Sequence, residues 1–479
     1  MNALRWPLIV LIASLAVAAP AQQATTAPGP QPAEAAPPTL APVLLPPVPQ
    51  SEPTGAYRPL IGVASTDADG AQGPQYEVGA VFDKGIFIRG VDSDRDPYSL
   101  YIGARLQLRY TGFARDEETW TDAAGVSRPV RNRNNFDSER LRLNLQGTAI
   151  DKDLSYYLIF DGDSDGGSNV DQLAYIVTYR FDDALQVRLG RWKVASDREW
   201  LLSSRFLSLV DRSMATEFFR VGFSDGVWLL GELEGGWFYE TSLTNGLRTS
   251  TRQPFNLDNN LGWAATVYAD PLGPYGAGLG DYEWHESPVV RYGASLAYDR
   301  STDREDAGFP LGDNNFLRLS DGTRLADVGA LGPGSRVLSD SVLEAAADFA
   351  VKWCSWGVST EVFLRSIHDI RADGPIDRDQ VTDYGYRLDV GKFFVPKRLD
   401  GWARHSHVAG PLGNANEFAL GFNYYFGDIG SGDNDLSDLV NKFSMDVTLV
   451  DGSPVTTTTA DLIAGDDGLL LRTQVQIGF

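Results

Sequence analysis

The sequence contains a single cysteine, Cys354, among its 479 residues. An intrachain disulfide is therefore excluded, and so is a cluster of thiolate ligands for a metal ion. Beyond the amino terminus, the sequence also lacks any run of about 18 uninterrupted apolar residues, the length that a membrane-spanning helix requires. The chain therefore offers no helical membrane anchor.

Basic residues are scarce relative to acidic ones: 41 Lys and Arg stand against 64 Asp and Glu, which gives a net charge of −23. A nucleic-acid-binding protein needs a basic surface, so this balance argues against a nucleic-acid partner. It does not argue against a pore, because the selectivity of a pore depends on the few residues that line its lumen.

The common sequence signatures of catalysis and of metal or nucleotide binding are missing as well. The sequence has no H-E-x-x-H or P-loop motif. His405 and His407 stand two residues apart with no third ligand nearby. The segment Asp161–Gly166 resembles the opening of a calcium loop, but the twelfth position is Gln172 rather than Glu. We therefore predict no enzymatic activity, no metal site and no cofactor.

The amino terminus has the pattern of a secretory signal peptide. Arg5 supplies the positive charge, residues 7–17 form an apolar core, and residues 19–21 provide a small-residue cleavage site. We predict a signal peptide over 1–21, followed by a largely disordered Pro- and Ala-rich periplasmic spacer over 22–79. An exported chain without a helical anchor is soluble, lipidated or a β-barrel, and no cysteine near the cleavage site supports lipidation.

The last stretch of the sequence, Gly468–Phe479, alternates with period two. One face of the extended strand carries Leu469, Leu471, Thr473, Val475, Ile477 and Phe479, and the other carries Leu470, Arg472, Gln474, Gln476 and Gly478. A strand of an outer-membrane barrel turns such an apolar face to lipid and the polar face to a wet lumen. A soluble strand that buries its apolar face in a core is the alternative.

Similar alternating segments recur from Tyr98 onward, separated by connections rich in Gly, Asp and Asn. In the first, Arg105 and Arg109 lie on a polar face opposite an apolar one; in the next, Arg140 and Arg142 oppose a face of leucines. About 16 such segments can be counted, an even number within the porin range, and short turns alternate with long connections. These features predict an all-β fold, a transmembrane antiparallel β-barrel of about 16 strands over residues 80–479.

One long connection, Ser196–Phe219, differs from the others because its apolar residues have helical spacing. Trp200, Leu201 and Phe206 recur at the intervals of an amphipathic helix. The connection follows a strand that leads outward and is too short to be a domain. We expect it to fold into the lumen as a constriction loop.

Several stretches resemble the phosphate-selective porin O and P family. They are L-Y-I-G-A-R-L-Q-L-R-Y from Leu100, E-R-L-R-L-N-L-Q-G-T-A-I-D-K-D-L-S-Y-Y-L-I-F-D from Glu139, L-Q-V-R-L-G-R-W from Leu185 and S-S-R-F-L-S-L-V-D-R from Ser203. Their order and spacing match from Tyr98 to Leu233, and a weaker match runs over 384–479. The resemblance implies a trimeric channel of sixteen strands, whose lumen arginines and constriction lysine pass anions, phosphate above all.

Carried over residue by residue, the resemblance places the family's first-strand arginine on Arg105 and its constriction lysine on Arg205. The family's paired arginines at the start of the second strand fall on Glu139 and Arg140, so one of the two charges is reversed here. This departure weakens the case for strict phosphate selectivity but leaves an anion preference. The family's acidic residue at the start of the fourth strand falls on Asp171. Its Gly-Arg pair after the fifth strand falls on Gly190-Arg191.

The residues also support an anion pathway without the resemblance. A phosphate ion sheds part of its hydration in a narrow pore, and successive arginines replace those water contacts with charge-assisted hydrogen bonds. The predicted pathway and constriction residues are Arg105, Arg109, Arg140, Arg142, Asp171, Arg191, Arg205 and Arg472. The alternative is that these arginines merely solvate a wet wall and pair with acids such as Glu139.

We therefore interpret the sequence as an outer-membrane porin of a Gram-negative-type bacterium, exported through its signal peptide. Its expected partners are outer-membrane lipid, small anions with phosphate foremost, and two further copies of the chain in a homotrimer. Two alternatives stay open. One is a general, sugar or organic-acid porin on the same barrel, and the other is a secreted β-rich carbohydrate-binding protein or enzyme.

Overall fold

The computed structural model describes most of the chain that follows the predicted signal peptide. The described residues are 58–66, 72–81, 85–162, 170–249, 258–302, 316–426 and 441–478. The predicted signal peptide, the predicted spacer through residue 57, and Phe479 lie outside these ranges, so those parts of the interpretation stay predictions. Within the described ranges, no helix has both the length and the apolar character needed to cross a bilayer.

Sixteen antiparallel strands form a closed barrel. They are β4 (Ser99–Arg115), β7 (Arg133–Ala149), β8 (Asp151–Gly162), β9 (Val170–Arg180), β10 (Gln186–Lys193), β11 (Phe223–Leu233), β12 (Trp237–Thr244), β13 (Gly262–Ala269), β14 (Val289–Thr302), β15 (Val337–Trp353), β16 (Trp356–Ala372), β17 (Val381–Val395), β18 (Leu399–Ala409), β19 (Asn414–Tyr425), β20 (Lys442–Asp451) and β21 (Gly468–Gly478). Each pairs with the next, and β21 pairs back with β4 to close the cylinder. The predicted barrel of about 16 strands is confirmed.

The barrel wall follows the period-two alternation of the sequence. On β4 and β21 the apolar side chains face outward, where Leu108 is 49% and Ile477 50% exposed. The polar side chains face inward, where Arg109 and Arg472 are each only 1% exposed. An apolar belt around a polar interior is the arrangement of a barrel that sits in lipid.

The connections at the two ends of the barrel differ in length. At one end the turns are short, as between β15 and β16, where Cys354 and Ser355 both have positive φ, 47° and 74°, as a two-residue hairpin turn requires. The other end carries long loops, including 116–132, which contains the small hairpin of β5 (Thr119–Thr121) and β6 (Ser127–Pro129). Short periplasmic turns and long outer loops give this asymmetry.

Three strands precede the barrel, and they correct part of the predicted spacer. β1 (Arg58–Thr66), β2 (Gln72–Val81) and β3 (Gly85–Gly90) pair in sequence, so residues 58–66 and 72–79 are strands rather than disordered chain. β3 pairs with residues 99–102 of β4, just beyond the point where β21 ends. The exposed edge of β4 has unpaired backbone groups that β3 satisfies, a tertiary cause that composition does not reveal.

The interior of the barrel is filled by its connections. The loop that joins β10 to β11, residues 194–222, lies inside the lumen. Its Met214 and Phe219 pack against Phe363 on the inner wall, and its Trp200 packs in a cluster with Ala264. The predicted constriction loop is confirmed.

Candidate functional site

The constriction loop contains two short helices and one 3-10 turn. They are α1 (Arg198–Leu201), the turn Ser204–Phe206 and α2 (Met214–Phe219). The Asp197 carboxylate accepts a hydrogen bond of 2.8 Å from the Trp200 N–H, and the Ser213 hydroxyl accepts one of 3.1 Å from the Thr216 N–H. These two side chains cap the helices by satisfying N–H groups that have no partner within the helix.

Asp211 fastens the loop to the wall formed by β4 and β7. Its carboxylate accepts hydrogen bonds from Arg109 at 2.6 Å and from Arg140 at 3.0 Å. Burial opposes ionisation of Asp211, but the guanidinium groups of Arg140 and Arg109 outweigh it and hold the pKa of this carboxyl well below its ordinary value. Asp461 and Glu139 lie 2.8 Å and 3.5 Å from Arg109, so both arginines are neutralised by acids.

A bulge in β7 explains why Glu139 and Arg140 both face the lumen. The pairing between β4 and β7 slips between Gln107 and Leu108, which pair with Arg140 and Ser138. One extra residue is accommodated there, so two consecutive side chains point inward. The carboxyl group at position 139 therefore lies beside the arginines, 3.5 Å from Arg109 and 3.4 Å from Arg140.

Glu199 fastens the other side of the loop to β17 and β18. Its carboxylate accepts hydrogen bonds from Arg404 at 3.0 Å and from the Ser213 hydroxyl at 2.8 Å. Arg387 lies 3.6 Å from the same carboxylate and ion-pairs with Glu361 at 2.8 Å. We did not predict roles for Glu199, Arg387 or Arg404 from the sequence. Both arginines nevertheless lie at inward positions of strands whose side chains alternate between the two faces.

Loop backbone groups are bound by carboxylates of the wall as well. The Val210 N–H donates to Asp446 at 3.0 Å, and the Met214 N–H donates to Glu417 at 2.6 Å. Asp446 also accepts two hydrogen bonds from Arg472. Arg472 therefore faces the lumen as predicted, but its charge is taken up by a structural ion pair.

Arg105 lacks the close acid partner that Arg109, Arg140 and Arg472 have. It donates to the Ser204 hydroxyl of the loop at 3.0 Å, and no ion pair with a carboxylate forms among the described residues. Its strongest electrostatic neighbours are Arg142 and Arg205, followed by Arg140 and then Asp161. Arg142 ion-pairs with Asp161 at 2.7 Å. The predicted residues Arg105, Arg142 and Arg205 are thus brought together.

Lys193, at the end of β10, belongs to the same region. Its ammonium donates to the carbonyl groups of Trp200 at 2.7 Å and Leu202 at 3.1 Å. Its principal electrostatic neighbours are all cations, Arg105 among them, and it forms no ion pair within the described ranges. Lys193 directly precedes the loop, a position from which the sequence alone could have suggested it. We call Arg105, Arg142, Lys193 and Arg205 the cationic cluster.

Two predicted site residues lie away from the cationic cluster. Arg191 stands in register with Tyr175 of β9, the residue before the inward-facing Ile176. Its guanidinium forms an ion pair with Asp225 at 3.1 Å. Its place in the anion pathway stays a prediction. Asp171 is exposed at the start of β9 and stands in register with Asp161.

A second segment narrows the lumen from the short-turn end. Residues 270–288, between β13 and β14, bury Tyr275 and Tyr282. This segment and the constriction loop line a common cavity, to which Phe206 and Gly278 both contribute. The interior is thus constricted from both ends of the barrel.

The model of a known family matches part of the chain, and several solved outer-membrane proteins are similar to it. The model of the family described as phosphate-selective porin O and P matches residues 116–268. OmpT of Vibrio cholerae is similar at 10% identity, covering 80% of this chain and 98% of that chain with a TM-score of 0.48. OprB of Pseudomonas putida is similar at 10% identity, covering 79% and 94% with a TM-score of 0.45. DcaP of Acinetobacter baumannii is similar at 9% identity, covering 80% and 97% with a TM-score of 0.47.

No match was found among curated proteins. The barrel with its apolar belt, its constriction loop and the family match together indicate a porin-type channel and an outer-membrane location. The resemblance to the phosphate-selective porin O and P family, which the sequence stretches first indicated, is confirmed over residues 116–268.

Proposed function

We propose that this protein is a passive outer-membrane channel for small anions and that the cationic cluster is where they pass the constriction. The supporting observation is the environment of Arg105, a buried arginine that lies near Arg142 and Arg205, donates a hydrogen bond to the Ser204 hydroxyl and forms no ion pair within the described ranges. Buried cations that form no ion pair within the described ranges, as Arg105 and Lys193 are, attract an anion and replace part of its hydration.

The structure narrows the set of residues that we assign to the pathway. Arg109, Arg140 and Arg472 are held in ion pairs with Asp211 and Asp446, so we assign them to loop anchoring. The pathway then consists of Arg105, Arg142, Arg205 and Lys193. Several cations of moderate strength let an ion move on, whereas one tight site would trap it.

Planar-bilayer recordings of the purified protein test this proposal. In a KCl gradient, the wild-type protein should show a reversal potential that indicates anion preference. A unit charge about 4 Å from an ion contributes about 1 kcal/mol in a water-like dielectric, or about fivefold in permeability. Arg105→Met and Lys193→Met should each lower the chloride-to-potassium ratio by about that factor. The exposed loop residue Arg131 provides the matched control, Arg131→Met, which should leave the ratio unchanged.

A cation preference of the wild-type channel, or an unaltered ratio in both variants, would refute the pathway. Phosphate added to the chloride solution tests the finer selectivity, because a channel that prefers phosphate shows a chloride current that falls as phosphate binds. Current that is indifferent to phosphate, or blocked instead by sugars or organic acids, would favour the general or organic-solute porin.

We further propose a homotrimer that is exported by its signal peptide and embedded in outer-membrane lipid. The belt of outward apolar residues supports the lipid contact. One of the similar solved structures, OmpT of Vibrio cholerae, is described in a trimer form. Mass measurement in detergent tests the trimer, and cell fractionation with amino-terminal sequencing tests export. Recovery of the mature protein without detergent would end the porin interpretation.

A further inference from the structure

Two carboxylates and one imidazole meet on the segment 270–288, which narrows the lumen from the short-turn end. Asp281, Glu283 and His285 each offer one ligand atom there, and these atoms lie within 4.8 Å of one another. Alternate residues of one short stretch therefore converge on one point. Such a set differs from a solvated acidic patch, because an imidazole nitrogen beside carboxylate oxygens is a ligand set for zinc and similar ions.

Glu283 has one carboxylate oxygen in use and one without a partner. Its Oε2 accepts a hydrogen bond from the Lys352 ammonium at 3.3 Å, and that ammonium also donates to the Ala277 carbonyl at 2.9 Å. The Oε1 is buried and has no hydrogen-bond donor within the described chain. It lies beside Gly276, where a Cβ atom would approach it to 2.3 Å. A buried carboxylate oxygen without a donor is costly unless a ligand satisfies it.

The surroundings of this oxygen suit a metal ion better than a water molecule. The Glu283 Oε1 has almost no surface accessible to water, whereas a zinc ion needs only the space between ligand atoms at about 2.0–2.2 Å. Two ligands of one such ion are at most about 4.2 Å apart, so a small rotation of Glu283 brings the three atoms to bonding distance. Lys352 compensates one of the two carboxylates, which leaves one negative charge for the ion when His285 is neutral, the form that binds metals.

Asp281 and His285 are already held in place by the barrel wall. Asp281 is fully buried, and its carboxylate accepts hydrogen bonds from the backbone N–H groups of Ser355 at 2.8 Å and His285 at 3.1 Å. The Nδ1 atom of His285 forms a hydrogen bond with Asp281 Oδ1 at 2.6 Å. A bound ion replaces the proton of that hydrogen bond, since metal binding releases protons from its ligands. Ser355 belongs to the turn between β15 and β16, so the cluster joins the segment to the wall.

We propose that Asp281, Glu283 and His285 bind a divalent transition-metal ion such as zinc, which fastens the segment 270–288 to the turn between β15 and β16. The His285 side chain is 21% exposed at the short-turn end, so an ion reaches the cluster from that side. Because the segment and the constriction loop line a common cavity, the ion also steadies the narrow part of the lumen. The site departs from the prediction of no metal site, which rested on known motifs and on His405 and His407.

Zinc binding to the full-length protein in detergent tests the site. Every sample carries Cys354→Ser, because the exposed Cys354 thiol is itself a potential zinc ligand. Elemental analysis after gel filtration should find one zinc ion per chain, and anomalous scattering from crystals should place it between Glu283 and His285. Glu283→Gln and His285→Ala should each weaken zinc binding by about tenfold or more. The matched control, His368→Ala, removes an imidazole that lies 4.0 Å from the Asp369 carboxylate and should leave zinc binding unchanged.

Single-channel recording measures the effect of the ion on the lumen. Zinc added on the short-turn side should lower the current noise of the Cys354→Ser protein and should have no effect once Glu283→Gln is added. Absence of zinc from the cluster, or zinc binding that Glu283→Gln and His285→Ala leave unaltered, overturns the site. Zinc at the cluster without a change in noise overturns the fastening of the segment. None of these measurements uses the chloride-to-potassium ratio, so the metal site and the anion pathway fail independently.

Discussion

Asp211→Asn tests whether the constriction loop is held in the lumen by its charge. Asp211 is the loop residue that contacts both Arg109 at 2.6 Å and Arg140 at 3.0 Å, and its side chain is fully buried. Removing one partner of a buried ion pair costs about 3–5 kcal/mol. Asparagine keeps the size and one acceptor oxygen, and Asp461 still compensates Arg109 at 2.8 Å, so the lower end of that range applies.

A loss of about 3 kcal/mol in the free energy of loop docking lowers the ratio of docked to undocked loop about a hundredfold. The variant should therefore show larger and noisier single-channel conductance than the wild-type protein. Its anion preference should also rise, because two buried arginines lose a shared counter-charge. Single-channel recording measures the conductance, and the reversal potential in a KCl gradient measures the preference.

The matched control is Asp116→Asn, which makes the same change at an exposed position of the outer loop. It should leave both conductance and preference unchanged. If Asp211→Asn has the conductance, noise and reversal potential of the wild-type protein, the loop is held by its apolar packing and the electrostatic account of its docking is wrong.

Two further outcomes follow from the loop and the wall. Burial disfavours ionisation of Glu199, but the guanidinium groups of Arg387 and Arg404 outweigh burial and lower the pKa of Glu199 from 4.5 to about 2. The contribution of Glu199 to docking of the loop is therefore complete above pH 4.5 and is lost only as the pH falls toward 2. Conductance recorded from neutral pH to about pH 4.5 should therefore show no opening that depends on Glu199; an opening in that range that Glu199→Gln abolishes would contradict this. Gly391→Ala should destabilise the barrel by about 1–3 kcal/mol, because the added methyl group would lie 2.3 Å from the Trp402 ring. Heat-induced unfolding on a gel measures it against Gly162→Ala, where the nearest atom would be 3.7 Å away, and equal unfolding temperatures would show that the ring moves aside at no cost.

The strands and their faces could be predicted because they depend on local sequence. A strand has period two, so the order of residues in β4 or β21 decides which side chains face lipid and which face the lumen. The constriction loop could be predicted as well, since the helical spacing around Trp200 interrupts that pattern. Which residues meet across neighbouring strands depends on the register of each pair, and one residue of slip exchanges the two faces.

The role of each charged side chain in the lumen, in anchoring the loop or in the pathway, could not be predicted from the sequence. Arg109 and Asp211 are 102 residues apart in the chain, and Arg404 and Glu199 are 205 apart. Nothing in the local sequence distinguishes Arg109, which anchors the loop, from Arg105, which lies four residues before it on the same face.

The sequence by itself therefore determined the barrel, the two faces of its wall and the presence of arginines inside, because these depend on the spacing of neighbouring residues. Only the tertiary structure decided which arginines meet an acid and which do not. The physical reason is that Coulomb energy depends on distance in space and on burial, and closing the cylinder around the loop sets both.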